Sequence, residues 1–371
     1  MINRYQRHTL IDWFDQEKLL KTRVAVIGAG AVGNEVLKNL ALLGVGHIHV
    51  FDFDKIEQHN LTRCVLFQDS DINLFKADVA AAALRRIDPN IEVVASSVDF
   101  WDGLSLKQIS ESDAVICCVD NFEARIQLNQ SCLMASTDFY NTGIDSRHSS
   151  VEVFPFATDP DCACFECCLP SSAYLSIQKR YSCGLLRKVA FEEKKIPTTA
   201  ITSSLAGSLV VSMLLNRINQ HPQAIQGAVR HFQDSITLEA TLSKYGRNGN
   251  CPTCGSVRAF DGIVSARRSS QSAQDVPLAH GATGEIILSE SVLMRGVCQS
   301  CGRQQEYFES ARKLTDAVTF CSICGKYSVQ TEFVQRMSIH EFEEVFAGKT
   351  VPCKFITCRV ADQEIVIEME D

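Results

Sequence analysis

Residues 22–34 read Thr22-Arg23-Val24-Ala25-Val26-Ile27-Gly28-Ala29-Gly30-Ala31-Val32-Gly33-Asn34, and this stretch decides the fold. A β-branched apolar run ends at Gly28, the glycines follow a G-x-G-x-x-G spacing, and Asn34 to Leu43 reads as a helix. The order is strand, tight turn, helix. In such a turn Gly28 makes the bend, Gly30 lets backbone N–H groups approach a phosphate, and Gly33 lets helix and strand pack closely. A second strand, His47 to Phe51, ends in Asp52, nineteen residues after Gly33, where a carboxylate reaches the hydroxyls of a bound ribose. The fingerprint alone serves NAD, FAD and ATP equally.

Outward from this unit, the Ala-rich helix Lys76 to Ile87, strands Ile91 to Ser96 and Ala114 to Val119, helix Phe122 to Ser136 and segment Phe139 to Gly143 alternate. They predict a doubly wound, Rossmann-like α/β sheet. The strand Val151 to Phe156 follows, and Pro197 opens a long small-residue helix through Leu215. Strand-like residues His231 to Leu242 lead to Cys251. Residues 263–284 are rich in Ser, Ala, Gln and Gly without apolar periodicity and read as a linker. The expected domains are 1–262, 263–284 as linker, and 285–371, where a helix at Ile339 to Phe346 and strands near Phe355 to Val360 and Glu364 to Glu368 are expected.

The 17 cysteines argue for metal rather than disulfides, because four Cys-x-x-Cys pairs occur: Cys164/Cys167, Cys251/Cys254, Cys298/Cys301 and Cys321/Cys324. The spacer lets both sulfurs face one ion, and the Gly following the last three pairs permits the positive φ that wraps the backbone around it. Two Zn²⁺ sites of four thiolates each follow. The last two pairs have the layout of a zinc ribbon. Cys162 and Cys168 complicate the ligand choice at the first. Cys117 and Cys118 in an apolar strand, Cys132 on a helix, and Cys353 and Cys358 read as buried thiols.

Composition removes several function classes. With 36 Lys plus Arg against 44 Asp plus Glu, the net charge of −8 is wrong for general nucleic-acid binding. Residues 286–371 hold nine basic against thirteen acidic residues, so the ribbon reads as a protein-docking module. No charged-then-apolar leader opens the chain, and the apolar run Leu205 to Leu215 reads as too short to span a bilayer, so a cytoplasmic protein is expected.

Arg4-Tyr5-x-Arg7, the three glycines, Asp52-x-Asp54, Asn60-Leu61-x-Arg63, Lys76 and Asp120-Asn121 occur in order, and with them the sequence resembles the ThiF/MoeB/HesA family, bacterial relatives of ubiquitin-activating enzymes. The resemblance runs from Arg4 to about Gly255. It implies ATP-dependent adenylation of the C-terminal glycine carboxylate of a ubiquitin-like or sulfur-carrier protein, with release of pyrophosphate. It implies that Asp52 holds the ribose, Asn60 orients the triphosphate, Arg63 and Lys76 bind phosphates, and Asp120 binds Mg²⁺ beside Asn121. Asp54 either binds ribose or caps the following turn. Arg7 resembles an arginine donated by the second protomer of a homodimer. One departure is Cys64, where relatives commonly have Gln. Some relatives pass the acyl group to their own cysteine; Cys183, with Arg187 and Lys188 nearby, is the candidate for such a thioester and for transfer to a conjugating enzyme. The alternatives are sulfur transfer in cofactor synthesis without a thioester, and an NAD-dependent oxidoreductase, which has no use for Arg63, Lys76 and Asp120 around a triphosphate.

Overall fold

The computed structural model describes residues 4–169, 197–255, 263–267, 284–311, 314, 316–360 and 363–370. The chain divides into two compact units, Met1–Ala173 with Lys195–Ala259, and Tyr174–Lys194 with Phe260–Asp371.

In the first unit, an eight-stranded sheet has the order β3-β2-β1-β4-β5-β6-β7-β8. Its strands are β1 (Arg23–Ile27), β2 (His47–Phe51), β3 (Glu92–Ser96), β4 (Ala114–Cys117), β5 (Asp138–Ile144), β6 (His148–Phe154), β7 (Val229–Asp234) and β8 (Ala240–Lys244). β1 to β5 run parallel, whereas β6, β7 and β8 are antiparallel. The chain winds outward from β1 through β2 to β3, then returns to place β4 on the other side of β1. In sheets wound this way ligands bind beyond the carboxyl ends of the strands where the winding reverses, here β1 and β4. The helices are α1 (Gln16–Lys21), α2 (Ala31–Leu43), α3 (Lys76–Ile87), the short α4 (Phe100–Gly103) and α5 (Leu106–Ser110), α6 (Phe122–Met134) and α7 (Ala200–Ile218). β1 is buried at Val24 to Ile27, as a strand covered on both faces must be.

Helix α7 corrects two expectations. Its N-cap is Thr199, whose hydroxyl accepts from Thr202 N, so Pro197 lies outside the helix. The side-chain cap satisfies a donor the helix cannot, worth about 1 kcal/mol. The helix also extends beyond the apolar run at both ends, and at 19 residues it is long and apolar enough to cross a membrane by length and composition. Here its Ala206, Val210, Val211 and Leu214 are buried, and it packs on α2, β5 and β6.

In the second unit, residues 263–284 are not wholly a linker. β9 (Ile263–Arg267) pairs in parallel with β16 (Gln363–Glu370), because its backbone completes the edge of a six-stranded sheet. The remaining strands of that sheet are β10 (Gly284–Cys298), β11 (Gln304–Ser310), β14 (Val329–Ser338) and β15 (Phe355–Val360). β10 pairs with β11, β14 and β15 along its length. A two-stranded ribbon of β12 (Phe320–Cys321) and β13 (Lys326–Tyr327) stands apart. Helix α8 (Ile339–Val345) buries Ile339 and Phe342 in a core with Phe346, Ile356 and Ile367. The module is thus a sheet domain carrying a zinc-ribbon-like knuckle, larger than a ribbon alone.

Candidate nucleotide site and thiolate centres

The glycine turn is forced by packing. Gly28 has φ +96°, and a Cβ there would lie 2.9 Å from the Cys118 carbonyl oxygen, so the bend sits directly against the end of β4. A Cβ on Gly33 would meet the Gly28 oxygen at 2.0 Å. Gly33→Ala is therefore expected to destabilise the first unit by about 2 kcal/mol or more, read as a lower melting transition. Gly30 caps α2, and nothing lies within 4 Å of its Cβ position. The first intrahelical bond is Asn34 N to Gly30 O at 2.8 Å, which leaves the N–H groups of residues 31–33 without intrahelical partners. Their partial positive charge at the head of a thirteen-residue helix suits a phosphate.

Asp52 follows the end of β2, where its carboxylate accepts from Ala29 N at 2.7 Å and Asp54 N at 2.9 Å. Burial pushes its pKa up, and the nearby Lys76 charge pulls it back. Lys76 begins α3, is 9% exposed, and donates to Asp54 Oδ2 at 2.7 Å. Burial by itself would lower the ammonium pKa, but the Asp52 charge and the Asp54 hydrogen bond outweigh it, and the net shift is upward. Lys76 thus stays charged at neutral pH. Asp54 serves as the partner of Lys76, its own carbonyl accepting from Lys76 N at 2.9 Å.

Asn60 is buried, and its Oδ1 accepts from Glu57 N at 2.9 Å, which caps the 3-10 turn Gln58–Thr62. Arg63 donates to the His59 carbonyl at 2.8 Å. Cys64 is buried in the main core, and burial raises its thiol to about 11, so it acts as a neutral apolar group in the place of an amide. Asp120 is exposed beyond the end of β4, and Asn121 caps α6 by accepting from Ala124 N at 2.8 Å. Its side chain is thereby engaged by the helix. Arg7 is exposed on the turn before His8–Leu10. Arg4 and Tyr5 both reach the buried Asp88, Arg4 as an ion pair at 3.8 Å and Tyr5 through its hydroxyl. Cys183, Arg187 and Lys188 lie outside the described residues.

Sequence reading passed over Asn34. Its Oδ1 accepts from Leu66 N at 2.8 Å while its amide donates to Ala29 O at 2.7 Å, so one side chain stitches the 60–66 segment to the glycine turn. The available signal was a polar residue on the buried face of α2, directly after the fingerprint.

Among the described residues, two groups of side chains could hold a metal ion, and they are the two predicted sets. At the first, Cys164 and Cys251 sulfurs are 3.5 Å apart, Cys167 and Cys254 3.3 Å, and Cys164 and Cys167 4.0 Å. Four thiolates about 2.3 Å from a tetrahedral ion would stand about 3.8 Å apart, so the set fits zinc with no coordination position left for water. Cys162 and Cys168 lie outside it, and burial lifts each thiol to about 12. The site is tied to α6, since Asn129 accepts from Phe165 N at 2.9 Å and Gln130 donates to Thr253 at 3.1 Å. At the second, Cys298 and Cys324 are 3.6 Å apart, as are Cys301 and Cys321. Gly302 and Gly325 take the left-handed conformation expected of the knuckles, at φ +73° and +68°.

A glycine turn at the head of a helix, an acidic residue ending the next strand, and a charged lysine beside it are the arrangement of a Rossmann-like nucleotide-binding fold. The chain belongs to the ThiF family, which it matches over residues 5–253. It is 27% identical over 266 residues to the SAMP-activating enzyme E1 of Haloferax volcanii, covering 68% of this chain and 89% of that protein. Against ubiquitin-like modifier-activating enzyme 5 of Bombyx mori it is 31% identical over 209 residues, which covers 53% of this chain and 51% of the relative. The chain spans about half the length of that relative. Among solved structures, Escherichia coli MccB with ATP superposes with a TM-score of 0.57 at 25% identity, covering 69% of this chain and 75% of that one.

Proposed function

We propose that the protein activates the C-terminal glycine carboxylate of a ubiquitin-like or sulfur-carrier protein by ATP-dependent adenylation. The observation that carries this is the charged Lys76, held by Asp54 beside Asp52 at the edge where the glycine turn opens. An NAD-dependent oxidoreductase has no triphosphate for such a cation to meet. Relatives named as activating enzymes for SAMP and for ubiquitin-like modifiers support the same reading.

In the reaction, a carboxylate oxygen of the carrier attacks the α-phosphorus, a new P–O bond forms, and the bond from phosphorus to the bridging oxygen breaks, releasing pyrophosphate. Two anions meet and a third departs, so stabilising charge dominates the barrier. The N–H groups heading α2 and the cations Lys76 and Arg63 supply it from this chain, with Asp52 and Asn60 orienting the nucleotide. Asp120 presents an oxygen donor of the kind Mg²⁺ requires, and the ion when bound would neutralise phosphate charge. Arg7, exposed at the N-terminal turn, would complete the site of a second copy in a homodimer. The two thiolate centres would hold structural zinc.

Purified protein with Mg²⁺ should exchange labelled pyrophosphate into ATP only when the right glycine-terminated carrier is present. Exchange with no carrier at all, or a nicotinamide-binding signal without ATP binding, would overturn the proposal. Cys183→Ala should leave exchange intact and abolish only a thiol-sensitive adduct between enzyme and carrier; an adduct that persists in the variant would remove Cys183 from the thioester role. The acidic C-terminal unit would dock the carrier or a conjugating enzyme.

A further inference from the structure

Arg125 stands on the first turn of α6, five residues after Asp120. A cation is unfavourable at that end of a helix, where the backbone dipole is positive, so its position calls for a reason. Its Nη2 donates to the Val119 carbonyl at 2.6 Å, and its Nη1 donates to the Thr142 carbonyl at 2.6 Å and to Asn141 Oδ1 at 2.7 Å. Val119 immediately precedes Asp120. The ladder between β4 and β5 ends at the Cys117 and Asn141 pair, so beyond it the two strands part with carbonyls on both sides of the gap. The guanidinium bridges that gap as a rigid fork, which an ammonium cannot do. Asn141 is held in turn, because its amide donates to Glu152 at 2.6 Å, and the other Glu152 oxygen accepts from the Tyr245 hydroxyl at 2.7 Å.

We infer that Arg125 is a positioning residue for Asp120: by clamping the Val119 carbonyl to the end of β5, it fixes where the Asp120 carboxylate presents itself to the nucleotide's metal ion. This rests on the assignment of Asp120 to Mg²⁺. The charge of Arg125 is spent on two carbonyls and an amide, so it acts through the turn and not by touching phosphate.

The test is the ratio of affinities for a fluorescent methylanthraniloyl-ATP with Mg²⁺ and with EDTA, on the full chain. Arg125→Lys should keep the EDTA affinity within about twofold and lower the ratio about tenfold, the usual cost of losing a residue that orients a metal ligand. In an Asp120→Asn background the same substitution should change the ratio no further. Asn141→Ala, which removes one acceptor and keeps the arginine, should shift the ratio the same way by less, and serves if Arg125→Lys does not fold. An unchanged ratio in the variants, or an equal fall in the Asp120→Asn background, overturns the inference. A parent protein that binds the nucleotide with no dependence on Mg²⁺ overturns the assignment of Asp120 itself, and this inference with it.

Discussion

Asp120→Ala is expected to lower carrier-dependent pyrophosphate exchange by about a thousandfold or more, while the protein keeps its melting temperature. Asp120 is exposed beyond β4, so its removal opens no cavity in the sheet. The loss falls on charge stabilisation in the transition state. Lys76→Ala should differ in kind. Lys76 is buried and paired with the exposed Asp54, and its removal leaves the half-buried Asp52 without its neighbouring cation. That variant should lose exchange and also some stability, by about 1 kcal/mol. Both are checked by exchange assays beside thermal melts. Full exchange by Asp120→Ala would move the metal ligand elsewhere on the edge.

The second large effect concerns the first thiolate centre. Cys254→Ser should lower the metal content by one zinc per chain and drop the melting transition of the first unit by about 10 °C or more, because metal binding there is folding free energy. Residues 164 and 254 belong to distant parts of the sequence, and the centre joins the segment after β6 to the segment after β8. Cys298→Ser should also lower the metal content by one but leave the melting transition of the first unit in place, since Cys298 belongs to the other unit. Zinc analysis and calorimetry on the two variants check the contrast. A Cys254→Ser protein that keeps both its zinc and its melting point would point to Cys162 or Cys168 as the fourth ligand.

Much of the first unit was legible because its signals are local. The apolar run before Gly28 and the glycine spacing report a strand and turn through their own conformational limits, and Cys-x-x-Cys spacing reports a metal knuckle the same way. Lys76 was identified as a cation of the site, but its pairing with Asp54 joins residues 22 apart and leaves no sequence period. Asn60 and Asn121 illustrate a different limit. Each stands where the family resemblance put a nucleotide contact, and each also satisfies a backbone donor at the start of a helical turn, a second use that side-chain type alone does not reveal. In the second unit, β9 escaped because Ile263–Arg267 is short and sits among polar residues, and its partner comes from the far end of the chain. Strand pairing of that kind is decided by tertiary context rather than intrinsic preference.

The pairing of β9 with β16 also orders events during synthesis. Ile263 lies opposite Val366, about a hundred residues later, and β16 is the strand that joins β9 to β15. A ribosome working at about 5–20 residues per second delivers β16 several seconds after β9. Over that interval the strands of the first unit have all been made, while β9 still lacks its partner. Until residue 363 and those after it are made, β9 has no native strand to pair with.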